Sequence, residues 1–240
     1  MTHTSTAHLA LTLAAVLAGL PGIAVADEAP NLHEATVGRI TVQGFSSCAF
    51  VAVGADLLMT AAHCVVEPDA SDPVSFDRIA VGFHGQDDKK DSDLSVVDIA
   101  VHPEFRNSGK PDRATVGKDV AALRLSGIIG AGFESVVLPP SDLAYAGLLP
   151  VGEDATSLNA EACPARSEQG AVLVLECARP PGTSGSPIFA MVEGRRRVIG
   201  VVSAGGTGAE GKPLTFGTSV VEAFPGLRWM RQDRGVVGNY

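Results

Sequence analysis

Short runs of Val, Ile, Leu and Ala cover most of the chain, and clusters of Gly, Pro, Asp and Ser separate them. Their length and their β-branched side chains favour strands over helices. We predict strands over residues 39–42, 48–53, 78–83, 96–101, 120–125, 172–176 and 198–203. Many brief strands between turn residues indicate an all-β barrel or sandwich rather than strand–helix–strand units.

One segment near the end has helical spacing. Apolar residues between Val220 and Met230 recur on one face, which predicts a C-terminal helix despite Pro225. Residues 126–150 contain Gly and paired prolines but few strand features, so we interpret them as a linker. The predicted units are an N-terminal β-barrel over 37–125, a C-terminal β-barrel with its helix over 151–231, and a tail over 232–240.

The first 26 residues contain no Lys, Arg, Asp or Glu and end in small residues at 24–26. This pattern predicts a signal peptide over 1–26, followed by an N-terminal segment or short propeptide over 27–36. A retained membrane anchor is the alternative, and the Pro-Gly pair at 21–22 argues against it. We therefore expect a secreted or periplasmic protein that has no membrane contact after signal cleavage.

Composition narrows the classes of function. The chain has 240 residues, of which 45% are hydrophobic, so it can bury a large core. Its 27 acidic and 18 basic residues give a net charge of −9, which argues against a nucleic-acid partner. The acidic stretches at 67–77 and 85–95 offer carboxylates for calcium, but solvated turns explain them because EF-hand spacing is absent. We predict no metal and no cofactor.

Four cysteines, at positions 48, 64, 163 and 177, make an even set in a chain that we expect to be exported. An oxidising compartment favours disulfides, and no C-x-x-C spacing points to a metal. Three pairings are possible from the sequence alone. Because each pair is local in the sequence, we predict the disulfides Cys48–Cys64 and Cys163–Cys177.

The stretch "ARPPGTSGSPIF" at 178–189 sets a serine between two glycines, where a turn would expose its hydroxyl among backbone N–H groups. A serine hydroxyl needs a histidine base and an oriented acid to become a nucleophile. His63 follows an apolar run in "LLMTAAHC", and Asp119 precedes one in "DVAALRL". Alone, each residue also fits an ordinary strand end or turn.

Together, "LLMTAAHC", "DVAALRL" and "GTSGSP" resemble the catalytic blocks of the chymotrypsin/trypsin-like serine endopeptidases, in the order His, Asp, Ser. The G-x-S-G-S-P form resembles the bacterial branch that includes the glutamyl endopeptidases. The resemblance runs from about Val37 to Met230. It implies an all-β, trypsin-like fold of two six-stranded antiparallel β-barrels with a C-terminal helix.

The resemblance also implies the roles of the site residues. Ser184 is the nucleophile, His63 the general base, and Asp119 the acid that orients the histidine. The N–H groups of Gly182 and Ser184 form the oxyanion hole. The implied function is a monomeric serine endopeptidase that acts on protein or peptide substrates through an acyl-enzyme. The alternative is a catalytically silent binding or signalling module with the same fold.

Several positions depart from the family pattern. Thr183 stands where pancreatic-type members carry an aspartate that pairs with a newly released N-terminus, so we expect no activation by that ion pair. Val202 replaces the histidine of glutamate-selective relatives, and the position of trypsin's aspartate aligns near Ala178. These changes predict a small or medium apolar preference, with a contact from Arg179 to an acidic residue as the alternative. We predict the substrate-binding residues Ala178, Ser203, Ala204 and Gly205.

Overall fold

The structure is a computed structural model. It describes residues 36–84, 94–129, 136–151, 160–168, 171–226, 228–231 and 237–238. The predicted signal peptide, all of the segment 27–36 except Thr36, most of the acidic stretch 85–95 and most of the tail lie outside the described residues.

Six strands of the N-terminal half form one antiparallel sheet. They are β1 (Val37–Val42), β2 (Ser46–Gly54), β3 (Leu57–Thr60), β4 (Ile79–Phe83), β5 (Val96–Val101) and β6 (Ala121–Leu125). Their order across the sheet is β5-β6-β3-β2-β1-β4, which makes a half-barrel. The predicted strands in this half are confirmed. Their runs of β-branched residues form hydrogen-bonded antiparallel pairs, such as β1 with β2 and β5 with β6.

Six further strands close into a barrel. They are β7 (Tyr145–Leu148), β8 (Glu161–Glu168), β9 (Val172–Leu175), β10 (Pro187–Val192), β11 (Arg195–Thr207) and β12 (Pro213–Ser219). Their order is β10-β11-β12-β9-β8-β7, and β10 pairs with β7 to complete the circle. The prediction of two six-stranded antiparallel barrels is therefore confirmed, with one barrel closed and the other a half-barrel.

Strand β7 lies inside the segment 126–150 that the sequence predicts as a linker. Its sequence, Tyr-Ala-Gly-Leu, has low intrinsic strand preference, so local pattern gave no indication of it. Hydrogen bonding to β8 on one side and β10 on the other makes it a strand. The second barrel thus begins at Tyr145, before the predicted boundary at 151.

The C-terminal helix is shorter than predicted. An α-helix covers Val220–Ala223 and a 3-10 turn covers Phe224–Gly226. Pro225 cannot donate a helical hydrogen bond and clashes with the preceding turn, which ends the helix. Residues Arg228–Arg231 instead form strand β13, which pairs with β5, and Val237–Gly238 form β14 beside it.

Strand β2 shows how the core is divided between the two sheets. It is buried on both faces, and its alternate side chains enter different clusters. Phe50 packs in the core of the half-barrel, whereas Val51 packs with Met59, Phe189 and Val201 in a cluster shared by both sheets. This shared cluster holds the two barrels against each other.

Two disulfides have the predicted pairing. Cys48–Cys64 joins β2 to a 3-10 turn at Ala62–Cys64, and Cys163–Cys177 joins β8 to the segment after β9. Across the described residues, no helix combines the length and the apolar character that crossing a membrane requires.

Candidate active site

His63 and Asp119 meet between the two sheets, although 56 positions separate them in the chain. His63 lies in the 3-10 turn that follows β3, and Asp119 comes just before β6, which pairs with β3. The Asp119 carboxylate accepts a hydrogen bond from Nδ1 of His63 at 2.7 Å and another from the His63 backbone N–H at 2.8 Å. Two contacts to one carboxylate fix both the position and the direction of the ring.

The pair also fixes the protonation state of the ring. Burial lowers the pKa of His63, but the charge and the hydrogen bond of Asp119 raise it more, so the pKa lies above the ordinary value of 6.5. Burial raises the pKa of Asp119, but the charge and hydrogen bonds of His63 and the Ser203 hydroxyl together lower it below its ordinary value. Asp119 therefore stays a carboxylate, and in the neutral form of His63 the proton resides on Nδ1, which leaves Nε2 as an acceptor.

Ser203 has a role that the sequence did not indicate. We predicted a backbone contact to substrate here, but the Ser203 side chain is buried and its hydroxyl donates to Oδ2 of Asp119 at 2.5 Å. The Thr218 hydroxyl donates to the Val116 carbonyl at 2.5 Å and also lies 3.1 Å from the Asp119 carbonyl. Both donors come from the closed barrel, so Asp119 is held from both sheets at once. The sequence around Ser203 contains no pattern that predicts its hydrogen bond to Asp119.

Ser184 lies in a turn that is tied to both barrels. Its carbonyl accepts a hydrogen bond from the backbone N–H of Ala49 in β2 at 2.7 Å. The N–H of Gly185 donates to the Val202 carbonyl at 2.8 Å. Gly185 has a φ of +80°, and a Cβ there would stand 2.1 Å from the Ala49 carbonyl oxygen, so only glycine fits. Ser184 lines the same cleft as His63.

The two amides predicted for the oxyanion hole are available. Within the described residues, neither the Gly182 nor the Ser184 N–H donates a hydrogen bond to the protein. Gly182 has a φ of +77°, the left-handed conformation expected of glycine at this position. Thr183 between them is fully buried, and its hydroxyl donates to the Pro180 carbonyl at 2.7 Å. This bond closes the turn without the carboxylate that pancreatic-type members have.

Arg39 is a second residue that sequence reasoning missed. It lies on β1, and its Nη1 donates to the Gly182 carbonyl at 3.0 Å and to the Val151 carbonyl at 2.7 Å. Its Nη2 donates to the backbone and the hydroxyl of Ser47. The guanidinium thus connects the half-barrel to the turn that contains Ser184. The contacts are 112 and 143 residues away in the chain, so no local pattern could reveal them.

The cleft has a volume of about 360 Å³ and opens between the two sheets. It is lined by the predicted residues His63, Asp119, Ser184, Ser203, Ala204 and Gly205. Ala178 is exposed and lies outside this lining, and its neighbour Arg179 lines the cleft instead. Arg106 and Lys110, from the loop after β5, lie along the opposite rim.

Metal binding has little support in the described residues. Atoms of Cys48, His63 and Cys64 lie within 4.8 Å of one another, but the two sulfurs form a disulfide and are not the thiolates that bind metals. In the acidic stretch 67–77, Glu67 already forms an ion pair with Arg78 at 2.7 Å. A second group in the described residues, Glu161, Cys163 and Cys177, likewise has its two sulfurs in a disulfide.

The two-barrel fold with a cleft between its barrels is the architecture expected of a trypsin-like serine protease. The model of the trypsin family matches residues 25–225, which is most of the chain, so the chain belongs to the trypsin family and is a serine endopeptidase. A solved structure described as a thermostable serine protease AL20 from an extremophilic microorganism shares the fold, with a TM-score of 0.57 and 16% identity over 78% of this chain and 91% of that one. A search of curated proteins found no match. The glutamyl-endopeptidase branch remains a prediction from the sequence.

Proposed function

We propose that this protease cleaves peptide bonds with Ser184 as nucleophile, His63 as general base and Asp119 as the orienting acid. The observation that carries the proposal is the double contact of Asp119 with the ring and the backbone of His63. This contact leaves Nε2 of His63 as a proton acceptor in the cleft that Ser184 also lines.

The first half of the reaction forms an acyl-enzyme. The Ser184 oxygen attacks the substrate carbonyl carbon while its proton moves to Nε2 of His63. The N–H groups of Gly182 and Ser184, which have no acceptor in the described protein, bind the negative oxygen of the tetrahedral intermediate. The carbon–nitrogen bond then breaks as His63 donates the same proton to the leaving amine. Asp119 stays ionised and stabilises the imidazolium.

The second half repeats these steps with water. His63 removes a proton from a water molecule as the water oxygen attacks the Ser184 ester. The ester carbon–oxygen bond breaks, the proton returns to Ser184, and the carboxylic acid product leaves. Every group in this cycle is a side chain or an amide of the chain itself. The mechanism thus requires no cofactor.

The natural substrates in this proposal are proteins or peptides that a monomer meets outside the cytoplasm. Two disulfides support a secreted or periplasmic location, because reducing compartments disfavour them. An extended peptide can add to β11 along Ser203, Ala204 and Gly205 by strand pairing, since these residues line the cleft beside Ser184.

A fluorophosphonate probe tests the nucleophile directly, because it reacts covalently only with an activated serine. We expect the folded wild-type chain to become labelled and Ser184→Ala to remain unlabelled. Ser108→Ala is the matched control, since this hydroxyl lies on the rim of the same cleft, and its labelling should equal the wild type. Absence of labelling in the folded wild type would overturn the proposal and favour a catalytically silent module.

A further inference from the structure

Arg179 has a side chain that is half-buried in the cleft and has no partner among the described residues. Its Nε is inaccessible to solvent and makes no hydrogen bond, and the guanidinium forms no ion pair with any described carboxylate. Burial lowers its pKa below the ordinary arginine value. A buried N–H donor without an acceptor is costly, so proteins usually keep one only where something else binds it.

The location of Arg179 matches one substrate position. Its stem packs on Gly205, where a Cβ would stand 2.9 Å from the Arg179 Nε and 3.4 Å from its Cγ. A substrate carbonyl held by the amides of Gly182 and Ser184, on a backbone that pairs with Gly205, must direct its own side chain between the turn and β11. Arg179 lines this part of the cleft and packs on Gly205, so the residue that it would meet is the one immediately before the cleaved bond.

The charge of the cleft agrees with an anionic side chain. Arg179, Arg106 and Lys110 line it, while its one carboxylate among the described lining residues, Asp119, is buried and bound by His63 and Ser203. The whole chain carries a net charge of −9, so this local positive charge runs against the average. Cationic groups in a cleft concentrate anionic ligands there.

From these three observations we propose that Arg179 makes the protease selective for an acidic residue immediately before the cleaved bond. A carboxylate there would pair with the guanidinium and could accept from its buried Nε. This inference rests on the proposed function and replaces the apolar preference that the sequence predicted. It does not need a histidine at position 202, because Arg179, in the segment after β9, supplies the cation.

Two peptides that differ only in Glu or Gln before the cleaved bond test the inference, because they match in size and differ in charge. We expect kcat/KM to favour the Glu peptide about 10-fold to 100-fold in the wild type, the range typical of a charged hydrogen bond. A Leu peptide at the same position represents the apolar preference. A wild-type ratio of one, or a preference for Gln or Leu, would overturn the inference without any variant.

Variants of Arg179 then assign the preference to this side chain. Arg179→Gln should bring the Glu-to-Gln ratio to about one, Arg179→Lys should keep it above one, and Arg179→Glu should favour a Lys peptide. Fluorophosphonate labelling and the unfolding midpoint check that each variant is folded. A Glu preference that survives in labelled Arg179→Gln would assign selectivity to another residue and reject our proposal.

Binding to Ser184→Ala separates this inference from the proposed mechanism, because binding requires no turnover. We expect the Glu peptide to bind about 10-fold or more tightly than the Gln peptide, and the difference to vanish when Arg179→Gln is added. If the wild type hydrolyses no peptide but Ser184→Ala shows this difference in binding, the proposed mechanism is wrong and the binding site for an acidic residue is supported. Equal binding of the two peptides would reject the site itself.

Discussion

At the scale of single residues, Asp119 determines which nitrogen of His63 carries the proton. In Asp119→Asn the side chain can donate to Nδ1 and so favour the wrong tautomer. We expect kcat to fall about 10⁴-fold, by analogy with the same change in a known Ser-His-Asp protease. Steady-state kinetics on one peptide measures this effect. Asp142→Asn, an exposed turn residue outside the cleft lining, is the control and should retain wild-type kcat.

Arg179 also acts on His63 through space. Its positive charge lowers the pKa of His63, so a neutral side chain at this position should raise that pKa further above 6.5. Because the base must be neutral, the acid limb of the pH profile of kcat/KM for an uncharged substrate should move to higher pH in Arg179→Gln. NMR titration of the His63 ring checks the same shift. Arg106→Gln is the control and should move it less, because Arg179 is the arginine whose charge lowers this pKa.

The sequence predicted the residues that belong to motifs but not their partners. His63, Asp119 and Ser184 were predicted as the triad because their sequence blocks resemble those of a known family. Ser203 was assigned only a backbone role, since its bond to Asp119 joins segments 84 residues apart. Ala178 was predicted to bind substrate because its position aligns with that of trypsin's aspartate. The turn after Cys177 instead places Arg179 in the cleft lining and leaves Ala178 exposed.

At the scale of strands and turns, Arg39 connects β1 to the turn that contains Ser184. Arg39→Met keeps the length of the side chain but removes five hydrogen-bond contacts with Ser47, Val151 and Gly182. We expect the free energy of unfolding to fall by about 1.5–3 kcal/mol, as for hydrogen bonds to a charged group. If Arg39 positions the oxyanion turn, kcat should fall about tenfold or more, with little change in KM.

Urea unfolding and steady-state kinetics separate the two effects of Arg39. A loss of stability alone, with kcat unchanged well below the unfolding midpoint, would make Arg39 structural only. Arg39→Lys should recover part of kcat, because an ammonium can donate to the Gly182 carbonyl but cannot span all three partners.

Strands were predicted correctly where a run of β-branched side chains favours a strand. They were missed where only hydrogen bonding to neighbouring strands makes the segment a strand. The runs at 39–42 and 96–101 are rich in β-branched residues, and both are strands. The Tyr145–Leu148 strand has an Ala-Gly centre and exists only through its two neighbours. The segment at 228–231 has apolar spacing that also fits a helix, and pairing with β5 makes it a strand.

At the scale of the molecule, the site lies where the half-barrel and the closed barrel meet. The cluster of Val51, Met59, Phe189 and Val201 joins the sheets, and the polar contacts of Asp119 and Arg39 lie around it. The catalytic geometry thus depends on the relative position of two barrels, each with its own disulfide. Substitutions that destabilise one barrel should therefore disturb mainly the site residues that belong to that barrel.

Removing each disulfide separately tests that division. Their sequence separations of 16 and 14 residues are similar, so both double Cys→Ser variants should lose about 3 kcal/mol of unfolding free energy in the chain-entropy account. Cys48–Cys64 adjoins His63, so its removal should lower kcat for every peptide. Cys163–Cys177 ends two residues before Arg179, so its removal should mainly reduce the Glu-to-Gln ratio. Equal losses of kcat and of selectivity in both folded variants would contradict this division, because each disulfide would then support the whole site rather than its own barrel's part.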